Sequence, residues 1–547
     1  MSERGFREVC ASALSNLDPK DPYRLPFSGV VDLGKSACAY IPEALELSCW
    51  SLTILPPRGV CAQDFLVESG WKELADNQKI LLLVAGNEGK EADCTLEDAL
   101  SCLDKLVGSK EYFDAQRFFA YLIGYEDGAA VALRYTVEHP ESYAGVVFVG
   151  LEHQADSIAA ALGGNDSQDN IPVPALFLSE LEDLIQPAVA EFIRRNGCLD
   201  VPFSFMGDTV YLPNPVETGD EVSSQRVADV IVRGVEPSAL PNAASVWETL
   251  HRSIRVSGVG VDDLHPYRTT DEWGLVRHEL EIDGVVRHWL EYVPKGNVSR
   301  CDSRPLLVFL HGGSQTAKSA IYAAEWMNVA EARDFIVAFP TGTMRPFDNQ
   351  PAHPAWNATR ASNLFNDELF IREMVEDVCA RENVDRGRVY VVGHSMGAAM
   401  AQRCALALPD VFAAAASNSG VVVGGFMGDF DTPGVREDLA MPVFIQMGEH
   451  DVGGSTFAEN RNAERTVEYW IKRGSLSSLD DALVSKTGRY SLRQWVTKEG
   501  VPMLSYMRTL DKPHCITPQD AWIYYDWFLS RFSRRADGAT EYMGRAV

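Results

Sequence analysis

Positive charge is in short supply in this sequence: 49 Lys and Arg stand against 77 Asp and Glu, a formal net charge of −28. That balance argues against nucleic-acid binding and against docking on anionic membranes, since both need basic patches. Long apolar runs are missing too, and no stretch is fit to span a bilayer. The opening MSERGFREVC has no apolar segment of the kind a secretory signal carries, so a cytoplasmic protein is expected. Cysteine is present, but its 11 copies form no CxxC or CxH pairs, so no metal site and no disulfide framework is expected. Low-complexity tracts are absent. What remains is a globular composition spread over 547 residues, too many for one ordinary core, so two or more domains are expected.

The clearest chemical motif lies in "RVYVVGHSMGAAMAQRCALALPDVFAAAASNSG", Arg388 to Gly420. Val389 to Val392 read as a short buried parallel strand, and Ala398 to Leu408 read as a helix ending at Pro409. Between them stands Gly393-His394-Ser395-Met396-Gly397, the frame of a sharp strand-to-helix turn presenting a nucleophile. The glycines have a physical reason, because side chains at either flank would collide with strand or helix.

A serine that transfers acyl groups needs a base, an orienting carboxylate and oxyanion donors. In this type of fold the order along the chain is serine, acid, histidine. After Ser395 the next strand-like run, "MPVFIQMGEHD", ends in a loop that offers Glu449 and Asp451. His514 is the sole histidine beyond Asp451, set between the strand "MLSYMRTLDKP" and the helix "QDAWIYYDWFLSRF". Oxyanion donors are expected from the loop after "RPLLVFL", His311-Gly312-Gly313-Ser314, with either Gly313 or Ser314 donating beside the N–H of Met396.

From about Val276 to Phe532 the chain resembles the feruloyl esterase and poly(3-hydroxybutyrate) depolymerase group of α/β-hydrolases. The motifs that carry this, in order, are "VRHELEIDGVVRHWLEYVPKG", "LLVFLHGGSQTA", "FIVAFPTG", "RVYVVGHSMGAAMA", "MPVFIQMGEHD" and "PHCITPQDAWIYYDWFLSRF". The resemblance implies a serine carboxylic-ester hydrolase working through Ser395, Asp451 and His514 without a cofactor, with Glu449 as the alternative acid. Secreted members of the group carry signal peptides and polymer-binding modules, which do not show in this sequence, so a small or oligomeric ester is the expected substrate.

The first half carries a faded image of the same pattern. "IGYEDGAAVALRYTVEHPESYAGVV" sets Gly124 and Gly128 opposite Gly393 and Gly397, with Glu126 at the serine position. Ala129, Arg134, Pro140 and Ala144 match Ala398, Arg403, Pro409 and Ala413, and Trp71 matches Trp326. "VPALFLSELED" sets Asp183 opposite Asp451, while "RGVEPSALPNAASVWETL" sets Arg233 and Trp247 opposite Arg508 and Trp522. A duplication explains this economically. In the same register Ala239 replaces His514, and Pro56-Pro57-Arg58-Gly59 replaces the oxyanion loop; proline has no N–H to give. A carboxylate nucleophile at Glu126 would still lack a base, since His251 falls on the last helix of that half.

The expected architecture is therefore two tandem α/β-hydrolase-type domains, each a mostly parallel sheet flanked by helices: residues 1–255 degenerate, residues 256–547 catalytic. The first is expected to serve packing or homo-oligomer formation, with no nucleic-acid or membrane partner. His311, Trp356, Asn357 and Phe426, on connections leaving strand ends, are candidate pocket walls for an aryl, feruloyl-type or hydroxyalkanoate-type ester. Two other readings stay open: a serine peptidase of the prolyl-oligopeptidase type, and a non-catalytic assembly protein.

Overall fold

In the computed structural model the described residues are 18–547, without 19, 26, 35, 87–94, 108–114, 164–170, 215–226, 237–239, 256–263, 297–302, 348–349, 362, 422–433 and 437. They form two compact units. The main span of the first is Tyr23–Arg268; the second takes in Pro19–Pro22, Thr269–Asp348 and His353–Val547. The first unit runs past the expected boundary at 255, because the short strand Ser253–Arg255 pairs with Leu264–Pro266 before the chain moves on.

Each unit is built on a ten-stranded sheet. In the first the strands are β1 (Gly29–Gly34), β2 (Ala37–Ile41), β3 (Cys49–Leu55), β4 (Ile80–Ala85), β5 (Ala115–Tyr125), β6 (Gly145–Val149), β7 (Ala175–Ser179), β8 (Phe203–Phe205), β9 (Asp208–Tyr211) and β10 (Val230–Gly234). Their order across the sheet is β1-β2-β4-β3-β5-β6-β7-β10-β9-β8. In the second unit they are β11 (Leu275–Ile282), β12 (Val285–Tyr292), β13 (Arg304–Leu310), β14 (Ile336–Pro340), β15 (Val384–His394), β16 (Ala414–Asn418), β17 (Val443–Gly448), β18 (Leu483–Thr487), β19 (Tyr490–Val496) and β20 (Pro502–Thr509). Every second-unit strand takes the place of the first-unit strand numbered ten lower.

In both sheets the middle strands pair in parallel, and antiparallel strands close the two margins. The sequences explain the layering. ILLLVA in β4 is buried along its whole length, as is PLLVFL in β13, which suits strands covered by helices on both faces. The β18 strand LVSKT is exposed throughout, as a margin strand can be.

The correspondence extends to single hydrogen bonds. Tyr121 and Tyr390, at matched places in β5 and β15, send their hydroxyls to the carbonyls of Ser253 and Phe532. Arg134 and Arg403, on the helices Asp127–Glu138 and Met396–Ala407, each bond a glutamate, Glu97 at 2.5 Å and Glu368 at 2.6 Å. Trp71 and Trp326 each open a helix and are wholly buried. Among the described residues no helix is long and apolar enough to cross a membrane.

Candidate active site

The strand β15 ends at His394, and the helix Met396–Ala407 begins two residues later. Ser395 is the pivot, with φ 54° and ψ −116°, a backbone conformation that costs a non-glycine residue roughly 1–3 kcal/mol. Its N–H donates to the Asn418 carbonyl at 2.8 Å. The flanking glycines are sterically required: a Cβ on Gly393 would stand 2.0 Å from the Gly397 carbonyl oxygen, and one on Gly397 would stand 2.1 Å from that of Leu310.

Three loops from different strands converge on this turn. His514, in the loop after β20, has Nε2 at 2.9 Å from Ser395 Oγ. Its Nδ1 bonds Asp451 Oδ1, in the loop after β17. Asp451 is buried, and its other oxygen accepts the Gly448 N–H at 2.7 Å. Burial pushes the Asp451 carboxyl upward, but its bonds to His514, the Gly448 N–H and Ser419 outweigh this and hold the group below the usual carboxylate range. Glu449, the alternative acid, faces elsewhere, bonding Arg508 at 2.5 Å and the Asp511 N–H at 3.0 Å. Glu449, His450 and Asp511 approach one another at the surface, but with Glu449 so engaged and the other two exposed they give no reading of a metal centre.

The loop after β13 lies against the elbow. A Cβ added to Gly312 would come within 3.4 Å of Ser395 Cβ, and one added to Gly313 within 2.4 Å of Met396 Sδ. The Gly312 N–H donates to Gln315 Oε1 at 2.9 Å. Ser314 is set aside as an oxyanion donor, because its N–H donates to the Pro354 carbonyl at 2.9 Å. Among the described residues no group takes the N–H of Gly313 or of Met396.

Of the expected pocket walls, two turn away from any opening. His311 is wholly buried, its Nε2 accepting the Gly342 N–H at 2.9 Å and its carbonyl accepting the Trp356 indole N–H at 2.8 Å. Trp356 is buried as well, packed 4.8 Å from the His311 ring, so both fix the oxyanion loop from behind instead of lining a pocket. Asn357 ties its own loop together, donating to the carbonyls of Ala361 and Phe365. Phe426 lies outside the described residues. A cavity of about 920 Å³ in the first unit is lined by Phe203, Phe205, Met206, Arg233 and Thr249 among others, and one of about 470 Å³ in the second unit by Asn357, Arg287, Arg360 and Asp367 among others; Ser395, Asp451 and His514 line neither.

A buried polar network beneath the site is one that the sequence motifs did not point to. Its members are His394 and Asn418 at the ends of β15 and β16, Gln446 in β17, Lys512 and Asp520 around the His514 loop, and Tyr524. Burial, then the nearby His514, pushes His394 down to about 3, so it stays neutral at any working pH. The signal was present: a Gln inside the apolar run VFIQM, a Ser-Asn after AAAA, and a Lys two residues before His514.

The first unit's elbow has the same backbone, and the described residues around it differ. Glu126 sits at φ 50° and ψ −114°, exposed, its N–H donating to the Val149 carbonyl at 2.7 Å. Arg58, from the Pro-Pro loop, bonds Asp127 through its backbone N–H at 2.9 Å, and Asp127 is the residue that matches Met396. Asp183 stands exposed in the first turn of the helix Glu182–Arg195, unlike the loop-held Asp451. His251 stacks on Trp247, ring centroids 4.8 Å apart. Ala239 lies outside the described residues.

Comparison with known proteins places the motifs of the second unit. Residues 288–437 match the family described as Esterase PHB depolymerase. Poly(3-hydroxyalkanoate) depolymerase C of Paucimonas lemoignei is 34% identical over 139 residues, 24% of this chain and 30% of that protein. Probable acetylxylan esterase A of Aspergillus flavus is 30% identical over 142 residues, 26% of this chain and 44% of that protein. Feruloyl esterase B of Talaromyces funiculosus is 33% identical over 133 residues, 24% and 35% of the two chains. The chain thus spans 30–44% of the length of these relatives. Among solved structures, the acetyl xylan esterase from Aspergillus awamori aligns over 46% of this chain and 98% of its own, with TM-score 0.36 and 18% identity. The resemblance read from the second half's motifs is borne out over the matched segment.

Proposed function

We propose that the second unit is a serine carboxylic-ester hydrolase that works through an acyl-enzyme on Ser395. The observation that carries this is the unbroken hydrogen-bond line from Ser395 Oγ through both His514 nitrogens to Asp451. Beside it stand two N–H groups that have no other partner among the described residues. His514 takes the serine proton as Oγ attacks the ester carbonyl. Asp451, held ionised, keeps Nδ1 protonated and so leaves Nε2 as the accepting nitrogen. The Gly313 and Met396 N–H groups hold the oxyanion of the tetrahedral intermediate. His514 then protonates the departing alcohol, and water activated by the same imidazole releases the acid.

The substrate is a small or oligomeric ester of the aryl, feruloyl or hydroxyalkanoate type, a reading supported by relatives named for depolymerase, acetylxylan esterase and feruloyl esterase activities. The first unit is a second copy of the fold that has lost its chemistry and acts in packing or assembly. A panel of p-nitrophenyl, feruloyl, acetylxylan and hydroxybutyrate esters set against aminoacyl-anilides tests the reading. Turnover of esters that disappears in Ser395→Ala is expected; anilide cleavage without ester cleavage would replace it with a peptidase.

A further inference from the structure

The two units allow a subtraction. Both hold the same strand order and the same strained elbow, so whatever polar groups only the second contains are not needed for the fold. In the second unit Asn418 satisfies its amide fully when its nitrogen faces His394 Nδ1 at 2.9 Å, Ser419 Oγ at 3.1 Å and the Cys515 carbonyl at 2.8 Å. Its oxygen then takes the Tyr524 hydroxyl at 2.6 Å and Lys512 Nζ at 2.7 Å. Lys512 and Asp520 form an ion pair at 2.8 Å with both side chains 2% exposed or less. Asp520 also accepts from Gln446 Nε2 at 2.7 Å and from the Thr517 N–H at 2.9 Å.

The first-unit counterparts follow from matching backbone bonds. The bonds Glu126 N–H to Val149 and Gly150 N–H to Leu178 repeat as Ser395 to Asn418 and Ser419 to Gln446. The helix caps Asn242 to Ser245 and Thr517 to Asp520 correspond as well. Thus Tyr125, Val149, Leu178 and Ser245 stand where His394, Asn418, Gln446 and Asp520 stand. Among the described residues of the first unit the network has no counterpart, and the sheet closes without it. An ion pair this deep is also a weak stabiliser, since desolvation offsets most of the attraction.

We infer that Lys512 and Asp520 are a positioning pair for His514, holding its loop and balancing the charge beneath the imidazole. The loop connections fit this role. The Lys512 carbonyl accepts the His450 N–H at 3.0 Å, one residue before Asp451, and Asn418 holds the carbonyl of Cys515, one residue after His514. One pair therefore ties the base loop to the acid loop and, through Asn418, to the serine turn. The groups facing His514 are Ser395, Asp451 and, 5.1 Å away between ring centres, neutral His394. Cys515 adjoins it in the chain; Tyr524 and Asn418 lie beyond with the pair, Tyr506 behind Asp451, and Glu449, Arg508 and Asp511 at the surface.

The inference rests on the hydrolase reading, and its test keeps the two apart. The rate at which a fluorophosphonate labels Ser395 is followed from pH 5 to 9 in wild type, Lys512→Met, Asp520→Asn and the double variant. Its acid limb reports protonation of His514. Asp520→Asn leaves an uncompensated ammonium that disfavours the imidazolium, so the limb is expected to move down by roughly half to one pH unit. Lys512→Met leaves an uncompensated carboxylate, and the limb is expected to move up by about as much. The neutral double variant is expected near the wild-type limb, even where the single variants label more slowly. Limbs that stay put, or that shift in the same direction in both single variants, would overturn the inference. A wild-type chain that never labels at Ser395 would defeat the hydrolase reading alone. The His514 titration followed by NMR in isotopically labelled histidine, assigned with His514→Asn, then still decides the pair through the same opposed shifts.

Discussion

The two elbows share their glycines and differ at the three residues between them and in nearly everything that surrounds them. Ser395 and Glu126 share φ and ψ to within a few degrees, each at the end of the fifth strand of its sheet and each bonded through its N–H to the next strand's carbonyl. Around Ser395 lie an imidazole, a buried carboxylate, the N–H groups of Gly313 and Met396, which no described residue takes, and a polar network. Around Glu126 lie a Pro-Pro loop, an Arg58–Asp127 bond and strand ends turned apolar. The strained turn belongs to the fold, whereas chemistry depends on what the neighbouring loops bring to it.

The largest expected effect removes the working half of the comparison. Ser395→Ala and His514→Ala should each lower ester turnover by about 10⁴–10⁶, with unchanged circular dichroism, as measured by steady-state kinetics. Asp451→Asn should cost less, on the order of 10⁴ in kcat, because the base remains but loses its tautomer and orientation. This variant also carries a stability signature. A carboxyl held below its unfolded value contributes stability in full above about pH 4, lost as the pH falls through the lower folded value. Urea midpoints taken between pH 7 and pH 3 should therefore fall more for wild type than for Asp451→Asn.

Much of this contrast was legible in the sequence. Gly393 and Gly397 bracket the serine, and they announced the turn; His514 was the only histidine left after the acid loop, and the structure sets it against Ser395. The repeat was legible through Gly124, Gly128 and Trp71, positions where small size or deep burial fixes the residue. What stayed hidden depends on which way a side chain or an N–H points. Trp356 and Asn357 sit on connections, as pocket residues do, yet their polar atoms turn back to His311 and to their own loop. Ser314 and Gly313 are neighbours in the same loop, and only the bond to Pro354 separates spent from open.

A middle-sized effect sharpens what the units share. Gly397→Ala and Gly128→Ala each drive a Cβ to within 2.4 Å of a backbone carbonyl oxygen, so both should destabilise by about 2 kcal/mol or more in denaturant titrations. Only Gly397→Ala should also lower turnover per folded molecule. The smallest effect is expected at Glu126→Gly, which relieves the positive φ and should stabilise by about 1 kcal/mol while leaving turnover within about twofold. A drop of roughly tenfold or more there would mean that the first elbow takes part in the chemistry.

The most direct measurement is a fluorophosphonate reaction on the full chain, with the adduct located by peptide mass spectrometry. One adduct per chain, on Ser395, abolished in both Ser395→Ala and His514→Ala and untouched in Glu126→Ala, is the expected result. Ester turnover that survives Ser395→Ala, or an adduct that depends on Glu126, would contradict the claim that one of two matching elbows carries the chemistry.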